Sequence, residues 1–323
     1  MSSTTRRKGT LALLPVCAVL AVNLLSGTTA QAATAAPEGY GAGTTGGAGG
    51  TTTTVSSLAA LTAAVKGDAA KTVRVSGAIS LSGQVKVGSN TTVLGVGASS
   101  GLTGGGLSLD GVHNVILRNL RISKAVGTDA VTIIRGANHI WVDHNDLSSD
   151  LSHGKDYYDG LVDITHAADY ITVSWNHFHD HYKVSLVGHS DSNAAEDTGH
   201  LRVTYAHNWF SNVNSRLPSV RFGTAHIYDN YFQNVADSAV HSRMGAQTLS
   251  QDNVFRSVKL AVTTTGDSKT DGYANLSGND LGGASTDITR TGSFTTPPYS
   301  FSLTPTASVV STDTAGAGTG VVG

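Results

Sequence analysis

"HNWFSNVNSRLPSVRFGTAHIYDNYFQNV" (207–235) contains one phrase twice: an Asn, then an aromatic pair, then an apolar residue three positions on. The two Asn residues, Asn208 and Asn230, lie 22 apart, and the alternating run "AHIY" leads into the second. Asn followed two residues later by Leu or Phe recurs as "HNDLSS", "WNHFHD", "DNVFRSV" and "GNDLGG", and "RNLRIS" has the Leu directly after its Asn. The Asn positions are 119, 145, 176, 208, 230, 253 and 279, separated by 26, 31, 32, 22, 23 and 26 residues. β-Branched alternating runs precede most of them, as in "VILRN", "HIWVDHN", "YITVSWN" and "RVTYAHN".

One strand and one Asn turn per 22 to 32 residues is the signature of a coiling parallel solenoid. Side chains alternate along a strand, so the apolar face of each coil stacks on that of the next. Asn tolerates left-handed backbone angles, which suits the bend. Stacked Asn side chains on successive coils would also bond to one another. A β-sandwich predicts hairpins at shorter spacing, and no Asn-Gly or Asp-Gly dipeptide separates these repeats. The two longest intervals, between 145 and 208, mark where loops are inserted.

Ahead of the repeats, "APEGYGAGTTGGAGGTTTTVSS" (36–57) reads as irregular. Leu58, Leu61 and Val65 then fall at helical spacing behind Ser56 and Ser57, which predicts a short capped helix. The first 32 residues read as an export leader. Arg6, Arg7 and Lys8 precede the apolar run 11–25, and Ala30-Gln31-Ala32 is a small-residue cleavage site. That run is short for a membrane span. The expected organisation is therefore a signal peptide at 1–32 and a single domain at 33–323.

The leader holds three of the 21 Lys and Arg and no acid. The remainder would carry 18 bases against 23 acids, a net charge of −5. Cys17, the one cysteine, lies in the leader, so no disulfide is expected after cleavage. A mildly acidic, thiol-free secreted chain argues against nucleic-acid binding and against membrane residence. A monomer is expected.

The inserted coils hold the candidate chemistry. In "KDYYDGLVDITH", Asp159 and Asp163 are four apart in a strand-like run and share a face. Asp129 lies about one coil earlier. Carboxylates from adjacent coils suit a hard cation with oxygen ligands, for which Ca²⁺ is the usual extracellular choice. Each Asp alone reads equally well as a turn cap. Lys183, in "HDHYKVSLVGHSD", lies 20 after Asp163, and Arg216 and Arg221 flank Pro218 on the following coil. Coil stacking would gather these three bases beside the acids.

"HFHDH" (177–181) has alternating histidines, yet it coincides with the repeat's turn and lacks an accompanying catalytic Glu motif, so no zinc is assigned there. Asp143 and His144 in "IWVDHND" read as a buried hydrogen-bonded pair.

Taken in order, "IWVDHNDLSS", "KDYYDGLVDI", "HDHYKVSLVGHSD" and "SRLPSVRFG" resemble the pectate lyases of polysaccharide lyase family 1, as does the "TTGGAGG" opening. The resemblance spans essentially the whole chain after the leader. It implies an all-β fold: a single-stranded right-handed parallel β-helix (solenoid) with a short N-terminal capping helix. It also implies a secreted, extracellular enzyme that cleaves polygalacturonate by β-elimination, leaving a C4–C5 double bond.

On the same resemblance, Asp129, Asp159 and Asp163 match calcium ligands, and Lys183 and Arg221 match residues that hold substrate carboxylates. Arg216 matches the base that takes the C5 proton, and Trp141, Asp143 and His144 match a structural signature. Some members carry a further acid where Gly127 stands here, which leaves the number of calcium ions open. A protonated guanidinium cannot accept a proton, so an alkaline optimum is expected. An optimum near pH 6 would point instead to a histidine such as His181 or His189. Pectin lyase, which acts on methyl-esterified polymer without calcium, is the nearest alternative. A hydrolytic polygalacturonase and a non-catalytic glycan-binding β-helix are the others.

Overall fold

The computed structural model describes residues 1–5 and 36–322. The expected leader therefore lies almost entirely outside the described residues, and residues 1–5 have no regular secondary structure. The unit Thr34–Gly323 is the parallel β-helix that the repeats predict.

One face is a ten-stranded parallel sheet taken in chain order, from Thr51–Val55 through Asn138–Asp143, Asp169–Ser174 and Arg202–Ala206 to Tyr273–Ser277. The other strands form a fifteen-stranded sheet folded into two faces. On one of these, Asp146–Ser148, His177–Lys183 and Trp209–Ser215 stack in order. On the other, Val131–Ile134, Val162–Ile164, Leu186–Val187 and Ser219–Arg221 do so. The long strand Tyr231–Arg243 turns the corner and belongs to both.

Identical residue types repeat at each coil because each sits above its counterpart. Phe178, Phe210, Phe232 and Phe255 stack face to face in the core at 4.9, 4.9 and 4.6 Å between ring centres. The Asn ladder forms as expected. Asn176 donates its backbone and side-chain N–H to Asn208 Oδ1, both at 3.0 Å. Asn208 does the same to Asn230, and Asn230 to Asn253, all at 2.9 Å.

The bend itself differs from the expectation. The left-handed residue is the one before the Asn, namely His144, Trp175, His207, Asp229 and Asp252, with φ between 48° and 55°. Only Asn119 of the ladder takes such an angle itself. Asn is therefore selected for its side-chain bonds, which satisfy buried backbone groups of the neighbouring coil.

The helix Leu58–Ala64 forms as predicted, with Ser57 Oγ accepting from Ala60 N–H at 3.3 Å. It packs on the first two strands of the ten-stranded sheet and buries Leu61 and Val65. The "TTGGAGG" segment lies against the backbone of that coil. A Cβ on Gly47 would sit 1.8 Å from the Lys71 carbonyl oxygen, which explains a glycine there. A C-terminal helix, Thr306–Gly316, docks on the strands beginning at Tyr231 and Val254 and was not anticipated. Among the described residues, no helix is long and apolar enough to cross a membrane.

Candidate active site

A cleft of about 470 Å³ opens where the strands His177–Lys183, Trp209–Ser215 and Ser219–Arg221 end or begin. Lys183, Arg216 and Arg221 all line it. Strand register puts Lys183 beside Ser215, the residue before Arg216. The Arg216 carbonyl accepts from Ser185 N–H at 2.8 Å, and Arg216 has a left-handed φ of 64° ahead of the cis Leu217–Pro218 bond. Among the described residues, the Arg216 guanidinium makes no hydrogen bond and no ion pair, whereas the other bases are held.

Lys183 Nζ lies 3.0 Å from Asp156 and 3.2 Å from Asp159. Burial lowers the affinity of the Lys183 amine for its proton, but these two carboxylates more than offset this, and its pKa is raised. Arg221 donates from Nε to Asp191 at 2.6 Å and from Nη1 to the Gly188 carbonyl at 2.9 Å. Burial opposes ionisation of Asp191, but bonds from Arg221, Ser268 and the Lys269 N–H bring it down to about 2.

The three sequence-predicted acids do not wall this cleft but lie alongside it. Gly160 links two of them: its N–H donates to Asp129 Oδ1 at 2.9 Å, and its α-carbon faces the Asp163 carboxylate. Thr132, which pairs in register with Asp163, donates to Asp129 Oδ2 at 2.6 Å. Asp163 is buried in the strand Val162–Ile164 and accepts from Leu186 N–H at 3.0 Å. Burial pushes the Asp163 carboxyl well above its ordinary range, and repulsion from Asp129 adds to this, opposed by Leu186 and by Arg216. Burial raises Asp129 as well. A buried carboxylate with a half-buried one beside it favours a cation between them. Asp159, expected on the same strand face as Asp163, instead lies in the exposed loop before that strand, where it pairs with Lys183. An all-oxygen carboxylate set of this kind fits a hard divalent cation.

The alternative histidines are engaged elsewhere. His181 is buried between Ser149 Oγ and the Asp159 carbonyl, each at 2.6 Å, and burial lowers its pKa to about 4. His189 stacks on His166. Asp143 and His144 pair at 2.6 Å, and Ser174 donates to Asp143 at 2.8 Å, the structural role expected of them.

Sequence reading missed Arg243. It pairs in register with Arg221, lines the cleft and donates to Ser268 at 2.7 Å. Burial, then the Arg221 charge, lowers its pKa to about 10. Its distance of 22 residues from Arg221 equals the Asn208–Asn230 interval, and that coil arithmetic was the available signal.

A family model described as pectate lyase matches residues 12–320. The probable pectate lyase A of Aspergillus fumigatus is 52% identical over 257 residues, 79% of this chain and 78% of the relative. Pectate lyase A of Aspergillus niger is 48% identical over 298 residues, 90% of each. Among solved structures, a pectate lyase from Bacillus sp. N165 in complex with trigalacturonate superposes with a TM-score of 0.79 at 32% identity, covering 88% of this chain and 99% of that one. With a solenoid throughout, a basic cleft beside crowded acids and similarity along most of its length, this chain belongs to the pectate lyase family.

Proposed function

We propose that the chain is a secreted, monomeric, calcium-dependent pectate lyase that cleaves (1→4)-α-D-galacturonan by β-elimination, with Arg216 as the base. The observation that carries this reading is the contrast in the cleft: Arg216 alone among its arginines has no partner among the described residues, while Arg221 and Arg243 are anchored. Anchored guanidiniums suit binding and orientation, and the unpartnered one suits proton transfer. The Bacillus relative's complex with trigalacturonate supports a galacturonan as the ligand.

Asp129, Asp163 and Asp159 would hold the calcium ion. When bound, the ion supplies neutralisation of the substrate's C6 carboxylate, which makes the neighbouring C5–H a stronger acid. Lys183 and Arg221 hold carboxylates of the polymer in register, fixing C5 against Arg216. Arg216, in its neutral form, takes the C5 proton; the C5–H electron pair forms the C4–C5 double bond as the C4–O bond breaks, and the departing oxygen takes a proton from solvent. The basic cleft stabilises the charge that grows on the carboxylate meanwhile. A local stack of bases lets an acidic chain grip a polyanion.

The test is ultraviolet absorbance of unsaturated product on polygalacturonate and on its methyl ester, with calcium or chelator. We expect activity on the unesterified polymer only with calcium. Arg216→Ala should lower kcat by about 10²–10⁴-fold, the usual worth of a general base, with calcium binding intact. A variant that keeps near-normal kcat would remove Arg216 from the mechanism, and chelator-resistant activity on the ester would identify a pectin lyase.

A further inference from the structure

We propose a second metal site, for a late first-row divalent cation such as Zn²⁺, formed by Asp146, His177 and His179 on the outer wall of the solenoid. The stretch "HFHDH" is not a turn, contrary to the sequence expectation, but the first part of the strand His177–Lys183. Phe178 points into the core, so His177 and His179 on either side of it point outward. The register places Asp146, from the preceding coil, directly beside His177. Three potential ligands from two coils thus share one patch, and their ligand atoms all lie within 4.8 Å of one another.

Orientation argues for a ligand set rather than a mere hydrogen-bond network. His179 Nδ1 is engaged by Asp180 Oδ2 at 2.8 Å, which turns Nε2 toward Asp146 Oδ1 at 3.3 Å. His177 Nε2 is engaged by Ser211 Oγ at 2.9 Å, which turns Nδ1 toward Asp146 Oδ2 at 3.9 Å. Each ring therefore has one nitrogen fixed by an outer partner and the other aimed at the same carboxylate. That is the arrangement by which metal-ligating histidines are held. A tetrahedral zinc with ligands about 2.1 Å away keeps ligand pairs about 3.4 Å apart, close to the separations present.

The surroundings restrict the rings but leave access. His177 stacks on Trp209 at 4.0 Å, and the backbone at Gly318 runs close to its Cβ. All three ligands are partly exposed, so an ion can enter and a water can fill the fourth position. Arg121, 3.8 Å from Asp146 and largely exposed, is the competing charge and has room to swing away. Two imidazoles and one carboxylate favour zinc over calcium, so this site and the acidic site beside the cleft select different ions. The ion would tie adjacent coils together on the same strand that carries Lys183.

The experiment uses the untagged, chelator-treated chain in excess calcium, titrated with Zn²⁺ against a chromophoric competitor and separately with Co²⁺. We expect one zinc equivalent per chain and a Co²⁺ visible spectrum of four-coordinate intensity. His179→Ala and Asp146→Asn should each weaken zinc by more than about 100-fold, since even outer partners are worth 10–100-fold. His166→Ala, which removes the exposed His166–His189 pair, should change nothing. If circular dichroism shows His179→Ala misfolded, the isosteric Asp146→Asn decides. Zinc binding unchanged in Asp146→Asn, or lost in His166→Ala, overturns the proposal.

Discussion

Replacing Gly160 by Ala tests whether the crowded acids hold the catalytic ion. An added Cβ would lie 2.3 Å from Asp163 Oδ1, 2.6 Å from its Cγ and 2.8 Å from Oδ2. Gly160 does not have a left-handed φ, so the cost comes from contact and not from backbone strain. The carboxylate must retreat by about 1 Å to reach ordinary van der Waals separation. Doing so breaks its 3.0 Å bond from Leu186 N–H and moves the oxygens offered to the ion. A hydrogen bond to a charged group is worth about 1.5–3 kcal/mol, so calcium should bind roughly 10–100-fold more weakly. Calcium titration of activity, with calorimetry for direct binding, reads this out. Gly154→Ala is the control, because a Cβ there meets nothing within 4 Å, and it should match the parent. A folded Gly160→Ala chain with parental calcium affinity would refute the placement of the ion at Asp163.

The Asn ladder and the C-terminal helix give two further expectations. Asn208→Ala removes the acceptor for Asn176 N–H and the donor to the Val173 carbonyl at 2.9 Å, all buried, and should cost at least about 3 kcal/mol in urea unfolding. Parental stability would show that the ladder is dispensable. In the second case, burial raises Asp229 to about 7 and Asp313 to about 9, with His207 between them at 3.6 and 3.3 Å. Folded-state values above the unfolded ones mean that the two acids' contribution is full in acid and lost as pH climbs from about 4 to about 9, while His207, lowered by burial to about 4, opposes them only on the acid side. Asp313 Oδ2 is also buried without a partner, so Asp313→Asn should flatten that decline and raise the thermal midpoint at pH 9, by about 1–3 kcal/mol of stability. An unchanged pH profile would contradict this.

What was legible in the sequence follows from what repeats. Each coil reuses the same positions, so the Asn and Phe ladders could be read from spacing alone, and so could the gathering of Lys183, Arg216 and Arg221. Features that do not repeat were hidden. The helix Thr306–Gly316 has no apolar stripe, and it docks by burying Val309 and Asp313, a tertiary choice without a local signal. The left-handed angle fell on the residue before the Asn, even on Trp175 against residue preference, because the buried Asn side chains must face the next coil. Asp159 left its strand because the long coil ends in a loop before Val162. The outer wall was misread for a related reason. "HFHDH" follows an Asn turn, but the strand begins one residue after Asn176, early enough to send two histidines outward over Asp146. In a solenoid, then, a one-residue difference in where the turn ends decides whether a polar run lies in a loop or projects from a strand. Alternation about the buried Phe178 fixes His177 and His179 on the outside, and the left-handed Asp180 then interrupts it, so that His181 turns inward.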